Sequence, residues 1–520
     1  MTSQSLLQSI ITASTLLAGF GILYTFALGI CRLYFSPISH FPGPKLAALT
    51  YWYEFYYDLI QRGRFLYKIQ ELHEQYGPII RINPHELHVS DPDFYHTIYA
   101  GGSSKRNRDP YHTADLKIRL ATMTLPGSLL TSPPHNLHRK RRAALNPFFS
   151  QQSARRLLPL LQERIDVLVA KLEELKDTGK VLNLLHAFSA FSNDVISQYL
   201  FGTSEHRLEA EDFDPSYHHK ILGAAGSTVV VKHFPIIPSI IDKLPEFVTD
   251  HVGALADQKK MKKILAGLIE NVRNHSIKST TRETTIFHTL LESDLPPSEK
   301  TTTRLTEEGI TLVGAGSHTV AWSLTVGCFH ILSNPHILST LKSELATIKH
   351  DGETLNSILT QLEKLPFLTG IIKESLRLSY GTSLRLPRID PEKPMQFHEW
   401  SIPPGTAVSM TGALMHHDER IFPDSKEFKP ERWVGNKGLD RYLTSFSAGS
   451  RACLGITLAW AELYLGFAGV FGKIGGVGET GERRYMRLVD TDRSDVEIVG
   501  DAFFPLVKEG SEGVRVLITS

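Results

Sequence analysis

FSAGSRACLG, Phe446 to Gly455, carries more chemical information than any other ten residues of this chain. It runs into ITLAWAELYL, an apolar stretch with helical spacing, so Cys453 stands just ahead of a predicted helix N-terminus. The positive end of a helix favours a thiolate over a thiol. Gly449 and Gly455 lack a Cβ where a flat, bulky group must come close. Arg451 places a cation two residues from the sulfur, suited to a carboxylate on such a group, and Phe446 can cover the sulfur and keep water out. A free cysteine is most often a small buried apolar side chain. Five fixed positions in the pattern FxxGxRxCxG weigh against that reading here.

Two signals lie upstream in the same third of the chain. In KESLR, Lys373 to Arg377, Glu374 and Arg377 share one helix face at i,i+3 spacing and can pair. Exposed pairs of this kind are common and contribute little, but this one lies on an apolar helix 79 residues ahead of Cys453. KPERW, Lys429 to Trp433, then adds Arg432. Earlier, a long helix is predicted from about Thr306 to Ser333, stopped by Asn334-Pro335. In its middle stands GAGSHTV, Gly314 to Val320; the alternative is a small-residue stretch that merely packs on a neighbour. Its GAG lies mid-helix rather than after a strand, so it is no dinucleotide fingerprint. His218-His219, His416-His417 and the His85/His88 pair bring no third ligand at a recognisable spacing, and the expectation is free surface histidines.

Phe446, Gly449, Arg451, Cys453 and Gly455 match the heme-binding signature of the cytochrome P-450 superfamily. The order and spacing of the ExxR and PERF-like segments match it as well, and the chain is identified as a member of that superfamily. The resemblance implies that Cys453 is the axial thiolate ligand of the iron of heme b. Thiolate ligation pushes electron density onto iron and favours O–O cleavage. The resemblance also implies that Arg451 binds a heme propionate and that Glu374, Arg377 and Arg432 form a buried charge triad. HNLHRKRRAALNPFFS, His135 to Ser150, resembles the helix that grips the propionates, with His138 and Arg142 in the usual places. The run Arg139–Arg142 also reads as a solvated basic face, and some of its cations could meet an acidic reductase. RLPR, Arg385 to Arg388, resembles the turn whose last arginine reaches a propionate.

In GAGSHTV, residues Ala315, Gly316 and Thr319 match the family's oxygen-side pattern. Ala315 is implied to lie close to the cofactor, and Thr319 to guide a proton during oxygen activation. The family's acid is replaced by His318 and its second hydroxyl by Val320. Histidine, with an ordinary pKa of about 6.5, can carry protons at neutral pH, so His318 and Thr319 are the candidate catalytic residues; the alternative for His318 is a structural group. FPGPKLAAL resembles the hinge that follows the family's membrane anchor, and the resemblance extends from Phe41 to the end of the chain. LTYWYEFYYDL, YGPIIRINPHELHVSDPDFY and RRAALNPFFS look most like fungal members of specialised metabolism near trichodiene oxygenase.

The N-terminus reads independently of these motifs. Met1 to Cys31 contains no Asp, Glu, Lys, Arg or His. Ile10 to Cys31, at about 1.5 Å per residue, gives roughly 33 Å of apolar helix, enough to cross a bilayer core. A cleaved signal peptide would carry a basic n-region and a small-x-small cleavage site, and neither is evident. The first cations, Arg32 and Lys45, follow the span, which places the bulk of the protein in the cytosol. Pro37, Pro42 and Pro44 predict a stiff, extended stalk. The expected organisation is an anchor over 1–35, a proline-rich hinge over 36–45 and one catalytic domain over 46–520.

That domain should be mainly α with a small β-rich lobe. Helical periodicity marks Arg155–Leu175, Met261–His275, Glu308–Leu332, Ile337–Ile348 and Phe367–Leu378. Strand-like pieces are Ile79–Ile82 with Leu87–Ser90, Met395–Phe397 with Trp400–Ile402, and Ala407–Met410. The glycine-rich run Gly466 to Gly481 predicts a helix fraying into a loop. With 42 % apolar and 21 % charged residues the 520-residue chain is of globular composition, and its net charge of +1 argues against a nucleic-acid partner. Three cysteines, Cys31, Cys328 and Cys453, exclude a disulfide-stapled scaffold.

The resemblance implies a membrane-anchored heme-thiolate monooxygenase of the endoplasmic reticulum, single-pass, with a cytosolic catalytic domain. It would use dioxygen and NADPH-derived electrons from a cytochrome reductase, with cytochrome b5 as a further candidate donor, to oxidise a lipophilic terpenoid or polyketide. The family's pocket regions fall on Ser103–Leu130, Gly223–Pro238, Ala315–Thr319, Thr382–Leu386 and Phe503-Phe504. Two rivals are a heme-thiolate isomerase or dehydratase that does not activate dioxygen, and a non-catalytic membrane-bound heme or lipid-binding protein.

Overall fold

Twenty-eight residues, Ser3–Ile30, form the first helix, α1. At 1.5 Å per residue it is about 42 Å long. Its apolar side chains point outward, Leu17 being 73 % and Phe20 71 % exposed. A helix apolar on every side is at home in lipid, and the segment Gln8–Phe35 is long and apolar enough to cross a membrane. The stretch over 36–45 is not a free stalk. Ile38 and Phe41 are buried among Val89, Phe397 and Ile402, and the Arg81 N–H donates to the Pro42 carbonyl at 2.7 Å. Two apolar side chains thus draw the prolines onto the body, which begins ahead of Leu46.

The computed structural model describes residues 3–102, 104–109, 125, 127–242, 244–245, 253–276, 285–473 and 485–520. Among the described residues short strands form four small sheets. They are β1 (Ile79–Arg81), β2 (Glu86–Val89), β3 (Asn107–Arg108), β4 (Leu182–Asn183), β5 (Arg388–Ile389), β6 (Met395–Phe397), β7 (Trp400–Ile402), β8 (Ala407–Ser409), β9 (Tyr485–Leu488), β10 (Gly500–Ala502), β11 (Phe504–Leu506) and β12 (Arg515–Thr519). The largest sheet has the order β1-β2-β8-β5-β3. Its β2–β8 pairing is parallel and joins the first hundred residues to the last third of the chain.

The helical body is built from α2 (His135–Leu145), α3 (Leu158–Glu174), α4 (Leu184–Phe201), α5 (Pro215–His233), α6 (Gly253–Ser276), α7 (Thr302–Ser333), α8 (Pro366–Ser379) and α9 (Ile456–Lys473). The single helix expected over Arg155–Leu175 is divided into Gln151–Arg156 and α3. Pro159 has no N–H to donate back one turn, so it is accommodated only in the first turn of a new helix. The glycine-rich run is helical to Lys473 as part of α9, and its remainder from residue 474 lies outside the described residues.

α7 is the central axis, 32 residues and about 48 Å long. The Thr301 hydroxyl accepts from the Arg304 N–H and caps its start. Asn334 ends it and caps the following helix by accepting from the His336 N–H at 3.0 Å. Close packing fixes its rotation. A Cβ on Gly316 would stand 2.8 Å from Ile196 of α4, and one on Gly327 would collide with Phe467 of α9. Gly316, which matches the family's oxygen-side pattern, is therefore also what lets α4 lie against α7.

Candidate active site

The segment around Cys453 is a folded loop ahead of α9. The Cys453 N–H donates to the Phe446 carbonyl at 2.8 Å. Gly449 is required for the loop's own shape: its φ is 71°, and a Cβ there would collide with the carbonyls of Tyr99 and Ala100. It does not line the interior cavity, whereas Gly455 does, with nothing nearer to its missing Cβ than Phe149 at 4.0 Å. The reason expected for Gly449, clearance for a flat group, is thus replaced by a backbone crossing. The Cys453 side chain is exposed only in the sense that it faces this cavity. Burial within the protein pushes its thiol up, while the Gly455 N–H and the Arg142 guanidinium pull the other way. α9 begins three residues further on, and desolvation is the largest influence on the free thiol.

The cavity has a volume of about 930 Å³ and lies between α5, α7, the turn at 382–386 and the Cys453 loop. Ala315, Gly316, Thr319 and Val320 supply its α7 wall. Thr382, Leu384, Leu386, Phe503 and Phe504 supply another, and α5 from Gly223 to Lys232 supplies the roof. Most of the expected lining between 103 and 124 lies outside the described residues.

One side of the cavity, beside Cys453, is cationic. Arg108, His138, Arg142, Arg388 and Arg451 all reach it. Arg451 donates to the carbonyls of Ser132 at 2.8 Å and Pro133 at 2.7 Å. Arg142 donates to the Ala452 carbonyl at 2.6 Å and so braces the loop from α2. Arg388 donates to the Leu386 carbonyl at 2.9 Å, and Arg108 to that of Leu130 at 2.6 Å. Among the described residues none of these arginines forms an ion pair with a carboxylate. Burial, reinforced by neighbouring arginines, pulls Arg108 and Arg451 down to about 9. His138 is pulled down to about 2 by burial and then by Arg451 and Arg142, so it is neutral. Buried cations without anions are costly, and the Arg108 Nε has no hydrogen-bond partner among the described residues. A group with two carboxylates and a metal that takes a thiolate fits these residues: the carboxylates complete the arginines and the metal takes the sulfur. Arg108 carried no motif; it was not identifiable until β3 placed it opposite Arg388.

Behind the loop, Glu374 and Arg377 of α8 form a buried bidentate pair, with Nη2 to Oε1 at 2.7 Å and Nε to Oε2 at 2.9 Å. Arg432 joins Glu374 at 3.1 Å. Gly370 of α8 lets the Pro430 carbonyl come close, which seats the KPERW segment on the helix. Trp433 and the Lys429 N–H also donate to Glu374, at 2.8 and 2.9 Å. The carboxylate is thus saturated with donors at zero exposure. His416 ties this cluster to the Cys453 loop, bonding the Arg377 carbonyl through Nδ1 at 2.8 Å and accepting from the Thr444 N–H through Nε2 at 2.9 Å.

His416 is therefore no surface histidine, and neither are His88 and His218, all buried. His88 bonds the Thr411 hydroxyl at 2.9 Å and His73 at 2.7 Å. Packing against distant elements buries them, and sequence spacing carries no trace of it. Thr319 faces the cavity, its hydroxyl donating to the Ala315 carbonyl at 2.8 Å. His318 is turned aside. Its ring lies 4.2 Å from that of Phe504 and 5.4 Å from that of His218, it does not line the cavity, and its buried Nδ1 has no partner. Burial pulls it down to about 4. His318 and Thr319 point to different faces of α7, because one residue along a helix is a rotation of about 100°.

Residues 44–472 match the family model described as Cytochrome P450. The chain is 44 % identical to cytochrome P450 monooxygenase tpcC of Cochliobolus heterostrophus, across 98 % of this chain and 97 % of that protein. It is 40 % identical to cytochrome P450 monooxygenase astB of Talaromyces wortmannii, across 96 % of each. A tryptophan 6-hydroxylase, fscE of Fusarium equiseti, is also 40 % identical, across 96 % of this chain and 95 % of that protein.

Proposed function

The chain belongs to the cytochrome P450 family and is a cytochrome P450 monooxygenase, and from that premise we propose that it oxidises a lipophilic terpenoid or polyketide in a fungal secondary-metabolite pathway. The single observation that carries this reading is a largely apolar cavity with a thiol at one side of it, beside a set of arginines that have no carboxylate partner among the described residues. Cys453 would hold the iron of heme b through its sulfur, and Arg108, Arg388 and Arg451, with neutral His138 as a hydrogen-bond partner, would hold its two propionates. Arg142 orients the Cys453 loop through the Ala452 carbonyl, Phe446 shields the sulfur from water, and Ala315 and Gly455 leave room on either side. Bound heme supplies the activation of dioxygen, with one oxygen atom entering a C–H bond of the substrate and the other leaving as water. Thr319 moves a proton at Oγ1 on the cavity face of α7. The apolar walls from α5, Leu384, Leu386 and Phe504 orient a hydrocarbon skeleton and exclude water from it.

Electrons come from NADPH through a membrane-bound cytochrome reductase, with cytochrome b5 as a further donor. Residues 1–35 hold the enzyme in the endoplasmic reticulum membrane, the segment 36–45 packs as a hinge against the β lobe, and residues 46–520 form the catalytic domain on the cytosolic side. The test is reconstitution with reductase and NADPH against a panel of terpenoid and polyketide hydrocarbons, scoring oxygenated product. The reduced carbon monoxide complex should absorb at the long wavelength of thiolate ligation. Cys453→Ala should abolish that band and Cys328→Ala should keep it; a band retained in Cys453→Ala overturns the assignment.

A further inference from the structure

At the end of the cavity roof lies a buried ionic cluster that neither the cofactor nor the charge triad uses. Lys232, in the last turn of α5, donates to Glu54 Oε1 at 2.6 Å and to Asp58 Oδ2 at 2.5 Å. The next residue, His233, bonds the same Asp58 oxygen at 2.9 Å. Glu54 and Asp58 belong to the helical segment 52–60 that follows the anchor. Glu54 also pairs with Arg385, which reaches Glu86 of β2 at 2.9 Å. Ser409 and Asn83 close the remaining positions on Glu86, at 2.5 and 2.9 Å. All five charged groups are buried, from 0 % exposure at Glu54 to 9 % at Asp58. Beside them Ser383 donates to Asp501 at 2.8 Å, and its N–H donates to the Phe503 carbonyl at 3.1 Å.

Three of the elements tied into this cluster also contribute cavity wall, while the segment 52–60 and β2 stand behind it. Lys232 and the residues before it form the roof, Thr382, Leu384 and Leu386 flank Ser383 and Arg385, and Phe503 and Phe504 follow Asp501. At its other end α5 is held by Tyr217, whose hydroxyl bonds Ser317 of α7 at 3.2 Å. Between these points α5 faces the cavity on one side and packs on α6, β10 and β11 on others. At its C-terminal end α5 is therefore tied to the segment 52–60 by the Lys232 ammonium, set between two carboxylates, and by His233 on Asp58. Removing one partner of a buried ion pair leaves an uncompensated charge, which the structure can relieve most easily by letting water in where the roof lifts.

We propose that Lys232 is a positioning residue for the oxidation: with Glu54 and Asp58 it latches the α5 roof to the segment behind the membrane anchor, and so governs how large molecules enter, leave and are held in the cavity. The proposal rests on the reading of this cavity as the substrate site. The ammonium itself makes no contact with substrate; it acts through the position of α5.

The experiment compares full-length wild-type holoenzyme with Lys232→Met and Lys232→Arg. Hydrogen exchange of peptides spanning 215–233 reads the latch directly and needs no heme ligand. Stopped-flow binding of clotrimazole, a bulky azole, and of imidazole, which needs little opening, reads passage. In Lys232→Met, exchange over 215–233 and both rates for clotrimazole should rise by about tenfold or more, the rates for imidazole should stay within about twofold, and Lys232→Arg should restore slow exchange. Unchanged exchange in folded Lys232→Met, or equal acceleration of both azoles with exchange raised throughout the β lobe, overturns the proposal. If Lys232→Met does not fold, Asp58→Asn retains the Lys232–Glu54–Arg385 set and should give the same pattern in smaller degree; no change over 215–233 then overturns it. Failure of wild type to bind either azole would count against the heme reading, while the exchange data would still decide the latch.

Discussion

His318→Leu separates a proton relay from a packed side chain. In the structure the His318 ring is 5 % exposed, packed on Phe504 and His218, with Nδ1 unpartnered. Its pKa is pulled from the ordinary 6.5 to about 4 by burial. Unfolded, the ring takes up a proton as pH falls through about 6.5; folded, it does so only near about 4. The unfolded state therefore binds more protons between these values, and stability falls as pH falls through that window. At pH 5 the difference amounts to about 2 kcal/mol, and at pH 7.5 it vanishes. Leucine has no proton to take up and leaves no orphaned nitrogen, so His318→Leu should lie within about 1 kcal/mol of wild type at pH 7.5. At pH 5 it should be the more stable by about 2 kcal/mol. Urea unfolding followed by tryptophan fluorescence at the two pH values measures this. On the packing account, product formed per NADPH is unchanged in His318→Leu and falls in Thr319→Ala. A loss of coupling of about tenfold in His318→Leu, with release of hydrogen peroxide and an unaltered acid limb of stability, would refute the packing account and restore the relay.

Glu374→Gln should leave the fully buried Arg377 cation short of its counter-ion and cost about 3–5 kcal/mol, read as a lowered urea midpoint and loss of bound heme; retention of both would contradict the triad's structural role. Asp501, raised to about 6 mainly by burial, holds its proton longer folded than unfolded, so its contribution falls as pH rises from about 4 through about 6. Asp501→Asn should flatten stability over that window while keeping the acceptor for Ser383 and the Phe503 N–H; an unchanged slope would show that Asp501 ionises normally. Deleting residues 1–31 should weaken membrane sedimentation and leave heme content intact, although exposed Ile236 and Ile240 beside the roof can retain some attachment. Glycosylation at an engineered acceptor site in the soluble body would contradict the cytosolic orientation.

What the chain shows in its sequence is what neighbours along it decide. α7 was placed to within four residues at its start because Thr301 caps it and Asn334-Pro335 stops it. Five strand segments were found because their alternation is local, and Glu374 and Arg377 could be paired because one helical turn brings them together whatever else the fold does. The division before α3 was missed although Pro159 marks it, because the apolar periodicity runs unbroken across the proline.

The sequence by itself determined the cysteine loop, the i,i+3 carboxylate–arginine pair, the order of the motifs and the apolar N-terminal helix, since each is a property of residues close together in the chain. Only the tertiary structure decided that Arg108 stands with Arg388 and Arg451 beside Cys453, that His416 links the triad to the loop, and that His318 turns towards Phe504 while Thr319 meets the cavity. It also decided that Lys232 closes on carboxylates 174 and 178 residues earlier. These depend on which surfaces become buried against which, and burial sets the charge a side chain can hold. The same histidine or cysteine code letter stands for different chemical species until its neighbours in space are known.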